Sequence, residues 1–561
     1  MLELKFVSTL EKCFLDQTPA DFASVERLRL YKKGTVACQL LVYDGDESYQ
    51  IQKWLQPTLE GDLAPYVRLR NVELIPNYLP VPVTADRAWA ADPKLVRVTP
   101  GLYPDLLTPL LHKGKVGLTF QSLRAVWVDV VDDGSLSAGL HTLTVKFTDP
   151  EAEDKEAVLA QAVLTVEVIN AELPAADTIV TQWFYADCLA DYYEVEVFSD
   201  RHFEICRNFI KTAVANGMNM ILTPILTPPL DTAVGGERTT TQLVGVTVTD
   251  GKYRFDFSLL DRWMAMCEAC GIRYFEMAHL FTQWGAYHAP KVMATVDGEY
   301  RRIFGWETDA AGEEYVTFLR EMLTALTAHL RAGGYADRVY FHISDEPSEA
   351  HLEQYKINAA NVRPYIEGFK QLDALSHVEY YQQGLCPVPV PITDQMKNFL
   401  KEDIDERWVY YCCGPWLGTC NRYMSMPSAR TRCIGVQMYK YGVKGFLHWG
   451  YNFYNDQFSD DVVNPFLSAN GGNWVGGGDT CLVYPGRKGQ PLESLRLKNL
   501  QEGLEDIRVL KLCEQFVPKE ELVARMEAIC GELNFDMFIS DTATMTALRD
   551  MLDDIVIEHT K

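Results

Sequence analysis

The sequence predicts an α/β protein in which a (β/α)8 TIM-like barrel follows an N-terminal antiparallel β-sandwich. Two observations support this fold class. Before about residue 170, short strand-like runs are separated by turns rich in Gly, Asp and Pro, a pattern typical of a sandwich. After a linker at 170–177, strand-like and helix-like segments alternate, and eight such strands are typical of a barrel. The alternative is an open doubly wound sheet, but no glycine-rich phosphate turn follows the first strand.

The periodicity of apolar residues assigns each element. Sandwich strands are predicted at 35–43, 67–74, 125–131, 139–148 and 162–169. Barrel strands are predicted at 179–185, 218–225, 273–280, 338–343, 377–381, 408–413, 445–450 and 481–484. Helices are predicted at 200–216, 258–270, 313–332, 349–375, 393–400, 422–441 and 493–515. We therefore expect a sandwich domain at 1–172, a catalytic barrel at 173–515 and a helical extension packed on the barrel at 516–561.

The composition narrows the class of partner. The net charge of −25 is spread along the chain, which argues against nucleic acid and favours a neutral small-molecule ligand. No apolar run is long enough to span a membrane, so no membrane partner is expected. The N-terminal residues lack the apolar centre of a secretion signal, and the 14 cysteines are expected to be reduced, so we expect a cytoplasmic protein. No cofactor or metal site is predicted, and a homo-oligomer is left open.

Two adjacent carboxylates follow the fourth predicted barrel strand, at the end where barrels place their catalytic groups. Neighbouring residues on an ideal strand point to opposite faces. Asp345 and Glu346 can therefore share a pocket only if the strand has already broken, which Pro347 favours. The other interpretation is that the acidic pair caps the following helix.

Adjacent carboxylates are too crowded to flank a sugar as separate nucleophile and acid. They suit a substrate-assisted reaction, in which the oxygen of a 2-acetamido group attacks the anomeric carbon. Asp345 would orient that acetamido group, and Glu346 would protonate the leaving oxygen and then activate water.

Aromatic and polar residues gather at the predicted ends of the other strands, as expected for a site that binds the apolar faces of a sugar. For each residue alone, packing at the top of the barrel explains the pattern equally well. The predicted substrate contacts are Trp183, Tyr185, Asn219, His279, Gln283, Trp284, Tyr380, Tyr381, His448, Trp449, Tyr451, Asn452, Trp474 and Asp479.

Several stretches together resemble the family 123 glycoside hydrolases. They are 182–193 (QWFYADCLADYY), 219–232 (NMILTPILTPPLDT), 279–290 (HLFTQWGAYHAP), 344–347 (SDEP), 445–452 (GFLHWGYN), 478–486 (GDTCLVYPG) and 494–506 (SLRLKNLQEGLED). The resemblance implies a retaining β-N-acetylgalactosaminidase that works through an oxazolinium intermediate. By that family's Asp-Glu pair, Asp345 would orient the acetamido group and Glu346 would be the general acid/base.

Two other functions stay open at this point. The same scaffold could hydrolyse another sugar, either β-linked N-acetylglucosamine or a glycoside without an acetamido group. A carbohydrate-binding protein without activity is the second alternative, against which the intact pair of Asp345 and Glu346 argues.

Overall fold

The computed structural model describes residues 2–45, 52–81, 92, 94–119 and 121–560. It is a mixed α/β structure with several sheets. In the described part of the chain, no helix is long and apolar enough to cross a membrane.

Ten strands and one short helix precede the barrel in the described residues. The strands are β1 (Leu2–Val7), β2 (Arg27–Lys32), β3 (Thr35–Asp44), β4 (Gln52–Glu60), β5 (Val67–Asn77), β6 (Gly101–Pro109), β7 (Val116–Thr119), β8 (Arg124–Val131), β9 (Gly139–Thr148) and β10 (Val158–Glu172), and the helix is α1 (Leu111–Gly114).

These strands form two five-stranded sheets, in the orders β1-β3-β8-β5-β6 and β2-β10-β9-β4-β7. Apolar side chains of both sheets, such as Leu40 and Val128 of the first and Val145 and Val166 of the second, share one buried cluster. The pairing is antiparallel except between β2 and β10, which run parallel. The predicted antiparallel pairing does not hold at this edge, where β2 pairs in parallel with β10, a strand more than 120 residues later.

The strands after the linker are β11 (Ile179–Gln182), β12 (Met220–Thr223), β13 (Gly245–Thr249), β14 (Lys252–Asp256), β15 (Tyr274–Met277), β16 (Val292–Val296), β17 (Glu299–Phe304), β18 (Val339–Phe341), β19 (Lys370–Leu375), β20 (Val388–Pro391), β21 (Trp408–Tyr410), β22 (Gly445–His448), β23 (Val483–Pro485) and β24 (Pro491–Glu493). The helices are α2 (Ala186–Tyr192), α3 (Asp200–Ala215), α4 (Ser258–Cys270), α5 (Glu313–Ala332), α6 (Leu352–Val362), α7 (Glu379–Gln382), α8 (Met396–Phe399), α9 (Ser428–Arg432), α10 (Ile434–Lys440), α11 (Leu495–Cys513), α12 (Lys519–Cys530) and α13 (Thr542–Thr560).

Eight of these strands form a parallel sheet in the order β20-β19-β18-β15-β12-β11-β22-β21. An isolated parallel bridge between Ile392 and Tyr410 joins the two ends, so the sheet is a nearly closed barrel. Because the strands are parallel, their carboxyl ends lie at one mouth of the barrel, and the loops that follow them surround that mouth.

Two predicted barrel strands are wrong. Residues 377–381 contain the helical turn α7, whereas the fifth strand is β19, which the prediction placed inside a helix over 349–375. Residues 481–484 overlap β23, which pairs antiparallel with β24 outside the barrel. The missing strand is β20, whose sequence VPVP has two prolines and lacks the pattern of a central strand.

Long excursions follow β12 and β15. They carry β13, β14, β16 and β17, which form a separate four-stranded sheet in the order β14-β13-β16-β17. Side chains of this sheet, Tyr253 and Phe255, pack on Phe318 of α5, so the sheet lies on the helical layer. The segments that join it to β12 and β15 carry side chains of the site described next.

Candidate active site

Asp345 and Glu346 lie four and five residues after the end of β18, where the chain has left the extended conformation. Glu346 has a φ of 41°, in the left-handed region that side chains other than those of glycine seldom adopt. This conformation removes the alternation that would send neighbouring side chains to opposite faces. The break that the sequence requires therefore occurs at Glu346 itself, one residue before Pro347.

Both carboxyl groups hold their protons to higher pH than free carboxyl groups. Burial, the charge of Glu346 and the charge of Asp231 raise the pKa of Asp345 well above its ordinary value. Burial is also the main cause that raises the pKa of Glu346, and the charge of Asp479 adds to it. A carboxyl pair with raised pKa values can keep one proton near neutral pH, as a general acid requires.

Two donors at the end of β21 face Glu346. The hydroxyl of Tyr410 donates to Oε1 of Glu346 at 2.5 Å, and Sγ of Cys412 lies 3.9 Å from the same oxygen. These contacts lower the pKa of Glu346 and so oppose the effect of burial. They also orient the carboxyl group by holding one of its two oxygens.

A third carboxyl group, Asp231, comes from the segment after β12. Burial raises its pKa to about 7, the charge of Arg238 lowers it, and the charges of Glu346 and Asp479 raise it. Its backbone N–H donates to Oε1 of Gln283 at 2.7 Å. Nε2 of Gln283 is buried without a hydrogen-bond partner among the described residues, so this amide has a donor to offer a ligand.

Tyr185 follows β11 and is 1% exposed. Its hydroxyl has no partner within the described part of the chain. Burial raises the pKa of Tyr185, and the charges of Asp231 and Asp345 are among the further causes, so the hydroxyl faces the carboxyl cluster. A buried hydroxyl without a partner is costly, and a polar ligand would satisfy it.

The mouth has aromatic walls. Nε1 of Trp449 donates to Oδ2 of Asp479 at 2.8 Å, and Nε2 of His448 lies 3.2 Å from Oδ1 of the same carboxylate. The rings of Trp449 and Trp474 are 5.9 Å apart, and Nε1 of Trp474 is another buried donor for which the described residues supply no acceptor. Trp183 is also buried here, against His279 at a ring distance of 5.2 Å.

Trp284 stands at the rim. It is 44% exposed, has a φ of 54°, and its backbone N–H donates to the carbonyl oxygen of Asp345 at 3.4 Å. Its ring meets that of Phe458 edge to face at 6.0 Å. Phe458, from the loop after β22, is 36% exposed and also has a positive φ, of 69°. Strained backbone that holds aromatic rings in solvent is expected at a binding site.

Five of the predicted contacts have side chains that bond to backbone groups. Asn219 precedes β12, at the opposite end of the barrel, where its amide bonds Val180 N and Thr178 O. The side chain of Asn452 accepts from the backbone N–H of Tyr185 and donates to its carbonyl oxygen. The hydroxyls of the other three donate to backbone carbonyls: Tyr380 to Ser348, Tyr381 to Asp403 and Tyr451 to Phe209. Position at a strand end does not determine which way a side chain points, so the pattern in the sequence could not separate these five residues from the others.

A polar cluster is buried beneath the carboxyl pair, inside the barrel. His342 contacts Glu276 and Asp373, and His279 stacks on His342 at a ring distance of 4.0 Å. Donor atoms of His279, His342 and Asp373 lie within 4.8 Å of one another, a spacing that a cation could use. Since both ring nitrogens of His342 already face carboxylate oxygens, hydrogen bonds account for this residue without a cation.

The sequence prediction missed Asp231, Tyr410, Glu276, His342 and Asp373. Two of them carry a signal in the sequence, because Glu276 and Asp373 are charged residues with an apolar residue on either side within a strand. Tyr410 lies within a correctly predicted strand and has no local signal. Its role depends on a contact between β21 and a residue 64 positions earlier.

Sequence comparison agrees with this site. Residues 183–513, more than half of the chain, match the model of the glycoside hydrolase 123 catalytic domain. The chain belongs to glycoside hydrolase family 123. It is therefore a glycosidase, and the resemblance read from the sequence is confirmed.

Solved structures give the fold of this family 123 chain a close counterpart. A family 123 glycoside hydrolase from Clostridium perfringens, from a study of glycolipid glycan hydrolysis, aligns with a TM-score of 0.74 at 15% identity, over 100% of this chain and 99% of its own. A Bifidobacterium dentium β-glucuronidase aligns over 90% of this chain and 66% of its own, at 10% identity and a TM-score of 0.30. No curated protein matches the sequence significantly.

Proposed function

We propose that this family 123 enzyme is a retaining exo-glycosidase that releases terminal β-linked N-acetylgalactosamine through an oxazolinium intermediate. The observation that carries the proposal is the left-handed conformation of Glu346, which brings two adjacent carboxyl groups with raised pKa values into one buried cluster with Asp231. We also infer that the N-terminal sheets form a β-sandwich and that the parallel sheet with its helices forms a (β/α)8 barrel.

In the proposed first step the acetamido oxygen attacks the anomeric carbon while Glu346 gives its proton to the leaving oxygen. The acetamido N–H donates to the carboxylate of Asp345, which stabilises the positive charge that develops on the ring of the intermediate. Water then attacks the anomeric carbon, and Glu346 takes its proton, so that the carbon regains its original configuration. The hydroxyl of Tyr410 stabilises the Glu346 anion that exists between the two steps.

The walls of the pocket suit this sugar. Trp183, Trp449 and Trp474 supply apolar surface for one buried ring, and Tyr185 and Gln283 supply unpaired hydrogen-bonding atoms. Trp284 and Phe458 are the exposed aromatic residues at the rim, where the leaving group would lie. Because the site contains several carboxyl groups, we expect neutral glycans to bind better than acidic ones.

The substrate is tested with p-nitrophenyl glycosides of β-N-acetylgalactosamine, β-N-acetylglucosamine, β-galactose and β-glucose. We expect turnover of the first and its inhibition by a thiazoline that mimics the cyclised acetamido group. Hydrolysis of the plain galactoside at a similar rate would contradict substrate assistance, and preference for N-acetylglucosamine would contradict the proposed sugar.

The roles of the two carboxyl groups are tested by Glu346→Gln and Asp345→Asn. Each change is expected to lower kcat by about 100-fold or more, since general acid catalysis alone contributes about 10²–10⁴-fold. Azide should restore turnover of an activated substrate in Glu346→Gln, because an anion needs no general base. Glu353→Gln, at a residue whose side chain is 82% exposed, is the matched control. Near-normal rates in both active-site variants would overturn the assignment.

A further inference from the structure

The contacts of His342 determine its charge. Nε2 lies 2.5 Å from Oε1 of Glu276, and Nδ1 lies 3.1 Å from Oδ1 of Asp373. Carboxylate oxygens accept hydrogen bonds, whereas a neutral imidazole has only one N–H to donate. Two carboxylate contacts on one ring are therefore satisfied when both nitrogens carry a proton. All three side chains are fully buried, so water does not replace either contact.

Other donors hold the two carboxylates in place. Glu276 also accepts from Nε1 of Trp183 and from Oγ1 of Thr181, each at 2.7 Å. Asp373 accepts from the backbone N–H of Ile343 at 3.0 Å and from the hydroxyl of Tyr355. The bond to Ile343 attaches Asp373 to the segment that leads from β18 into the catalytic pair. The cluster is thus fixed to the same piece of backbone as Asp345.

The charged groups that face His342 are few. Glu276 comes from β15 and Asp373 from β19, and His279, which follows β15, covers one face of the ring. Burial and the charge of His342 lower the pKa of His279 well below its ordinary value, so this second ring is neutral. Hydrogen bonds to Asp373 and Glu276 and the charges of these two groups outweigh burial and raise the pKa of His342 to about 9.

We propose that His342 is a positioning residue whose fixed positive charge opposes protonation of Asp345 and thereby favours the state in which the catalytic proton is on Glu346. Burial, Glu346, Asp231 and Asp373 all favour a proton on Asp345, whereas the charge of His342 favours the anion. Without that charge Asp345 would hold the proton more strongly against Glu346, and a neutral Asp345 would accept the acetamido N–H poorly. The inference rests on the proposed function, because it assigns Asp345 the role of acceptor.

Two substitutions should move the pH profile in opposite directions. His342→Gln removes the positive charge, so the acidic limb of kcat/KM should move up by about one pH unit. Glu276→Gln removes a negative charge, so the limb should move down. The glutamine can still accept from Trp183, and its amide can donate to Oγ1 of Thr181, so the local packing is retained. Thr324→Val, at an exposed helical residue, is the control for an unchanged profile.

The charge of His342 is measured independently of activity. In ¹⁵N-histidine NMR spectra, the signal that His342→Gln removes should be that of an imidazolium from pH 5 to pH 8, because its pKa lies near 9. The charge should be lost only as the pH rises through that value. A neutral ring at pH 7 would overturn the proposal. If His342→Gln failed to fold, the signal of His342 would be identified instead by its shift in Glu276→Gln.

The outcomes separate this inference from the proposed function. If the wild-type enzyme hydrolyses β-linked N-acetylgalactosamine but the acidic limb stays in place in both variants, the role of His342 is wrong and the function stands. If no acetamido sugar is hydrolysed, the proposed function fails, while the NMR measurement still decides whether the buried ring is charged.

Discussion

At the scale of single residues, the hydroxyl of Tyr410 sets the affinity of Glu346 for its proton. It donates to Oε1 of Glu346 at 2.5 Å, and a hydrogen bond to a carboxylate stabilises the charged form. A carboxyl group that burial alone controlled would hold its proton too tightly to release it in the transition state. The contact therefore balances burial, which raises the pKa of Glu346.

Tyr410→Phe should move the alkaline limb of kcat/KM to higher pH, because the pKa of Glu346 rises when the donor is lost. A hydrogen bond to a charged group contributes about 1.5–3 kcal/mol, so we expect a rise of about one pH unit and a fall in kcat of about tenfold or more. The pH dependence of hydrolysis of an aryl glycoside measures both. Tyr411→Phe is the matched control, because the neighbouring hydroxyl has no partner in the described structure. A shift to lower pH would contradict this account.

At this scale the sequence predicts the reacting residues better than the residues that contact them. The pair Asp345 and Glu346 was identifiable because two acids after a strand are unusual and because the motif is local. Asp231 and Tyr410 were not, because each reaches the pair from a segment distant in sequence. Asn219 and Tyr451 show how little a position next to a barrel strand says about contacts, since the side chains of both bond to backbone groups.

At the scale of elements, the loops after β15 and β22 meet at the rim through Trp284 and Phe458. Both residues have positive φ, and Ser459, next in the chain, donates from its hydroxyl to the carbonyl oxygen of Asp231 at 2.7 Å. The two loops thus support each other and the segment after β12. This arrangement keeps two aromatic rings exposed in a fixed position before any glycan binds.

Trp284→Ala should weaken recognition of the leaving-group sugar and spare the buried sugar. An aromatic contact contributes about 0.5–1.5 kcal/mol, so kcat/KM for a disaccharide should fall by about three- to tenfold. For the glycosyl fluoride, whose leaving group is a single atom, it should change by less than about twofold. Tyr300→Ala is the control, because Tyr300 is also an exposed aromatic residue but lies on the separate four-stranded sheet. Equal losses on both substrates would show that Trp284 acts on the buried sugar instead.

Prediction of elements succeeded where the periodicity was clear. The helices predicted at 258–270 and 313–332 have these bounds in the structure, because both have apolar residues on one face over several turns. Strands β19 and β20 were missed for physical reasons. Strand β19 contains Asp373, whose carboxylate contacts the buried His342. Strand β20 contains two prolines, which are unusual within a sheet.

At the scale of the whole molecule, the N-terminal sheets contribute to the site. Asp105 of β6 forms a buried, bidentate ion pair with Arg496 of α11, in which Nε and Nη2 of the arginine donate to the two carboxylate oxygens at 2.9 and 2.8 Å. The same guanidinium donates to the carbonyl oxygens of Gly478 and Cys481, on either side of Asp479. The loop that carries Asp479 is therefore held from the N-terminal region.

Asp105→Asn should lower the free energy of unfolding by about 3 kcal/mol, because it leaves a buried guanidinium without its counter-charge. Hydrolysis should weaken as well, since the loop around Asp479 loses its anchor. Urea unfolding and steady-state kinetics measure the two effects. Asp16→Asn removes an exposed partner of Arg97 and should cost less than about 1 kcal/mol. Equal effects of the two changes would mean that the sheets stabilise the barrel in some other way.

The backbone at Glu346 also has a consequence for the evolution of the enzyme. Its left-handed conformation costs about 1 kcal/mol or more for any side chain with a Cβ, and its charge repels Asp345 in a buried pocket. Glycine would relieve both penalties, so selection for stability alone would favour an inactive protein with a higher free energy of unfolding. Glutamate at this position therefore carries a cost in stability that its proposed catalytic role accounts for, and a family member with glycine at this position would be expected to have kept the sugar pocket as a lectin.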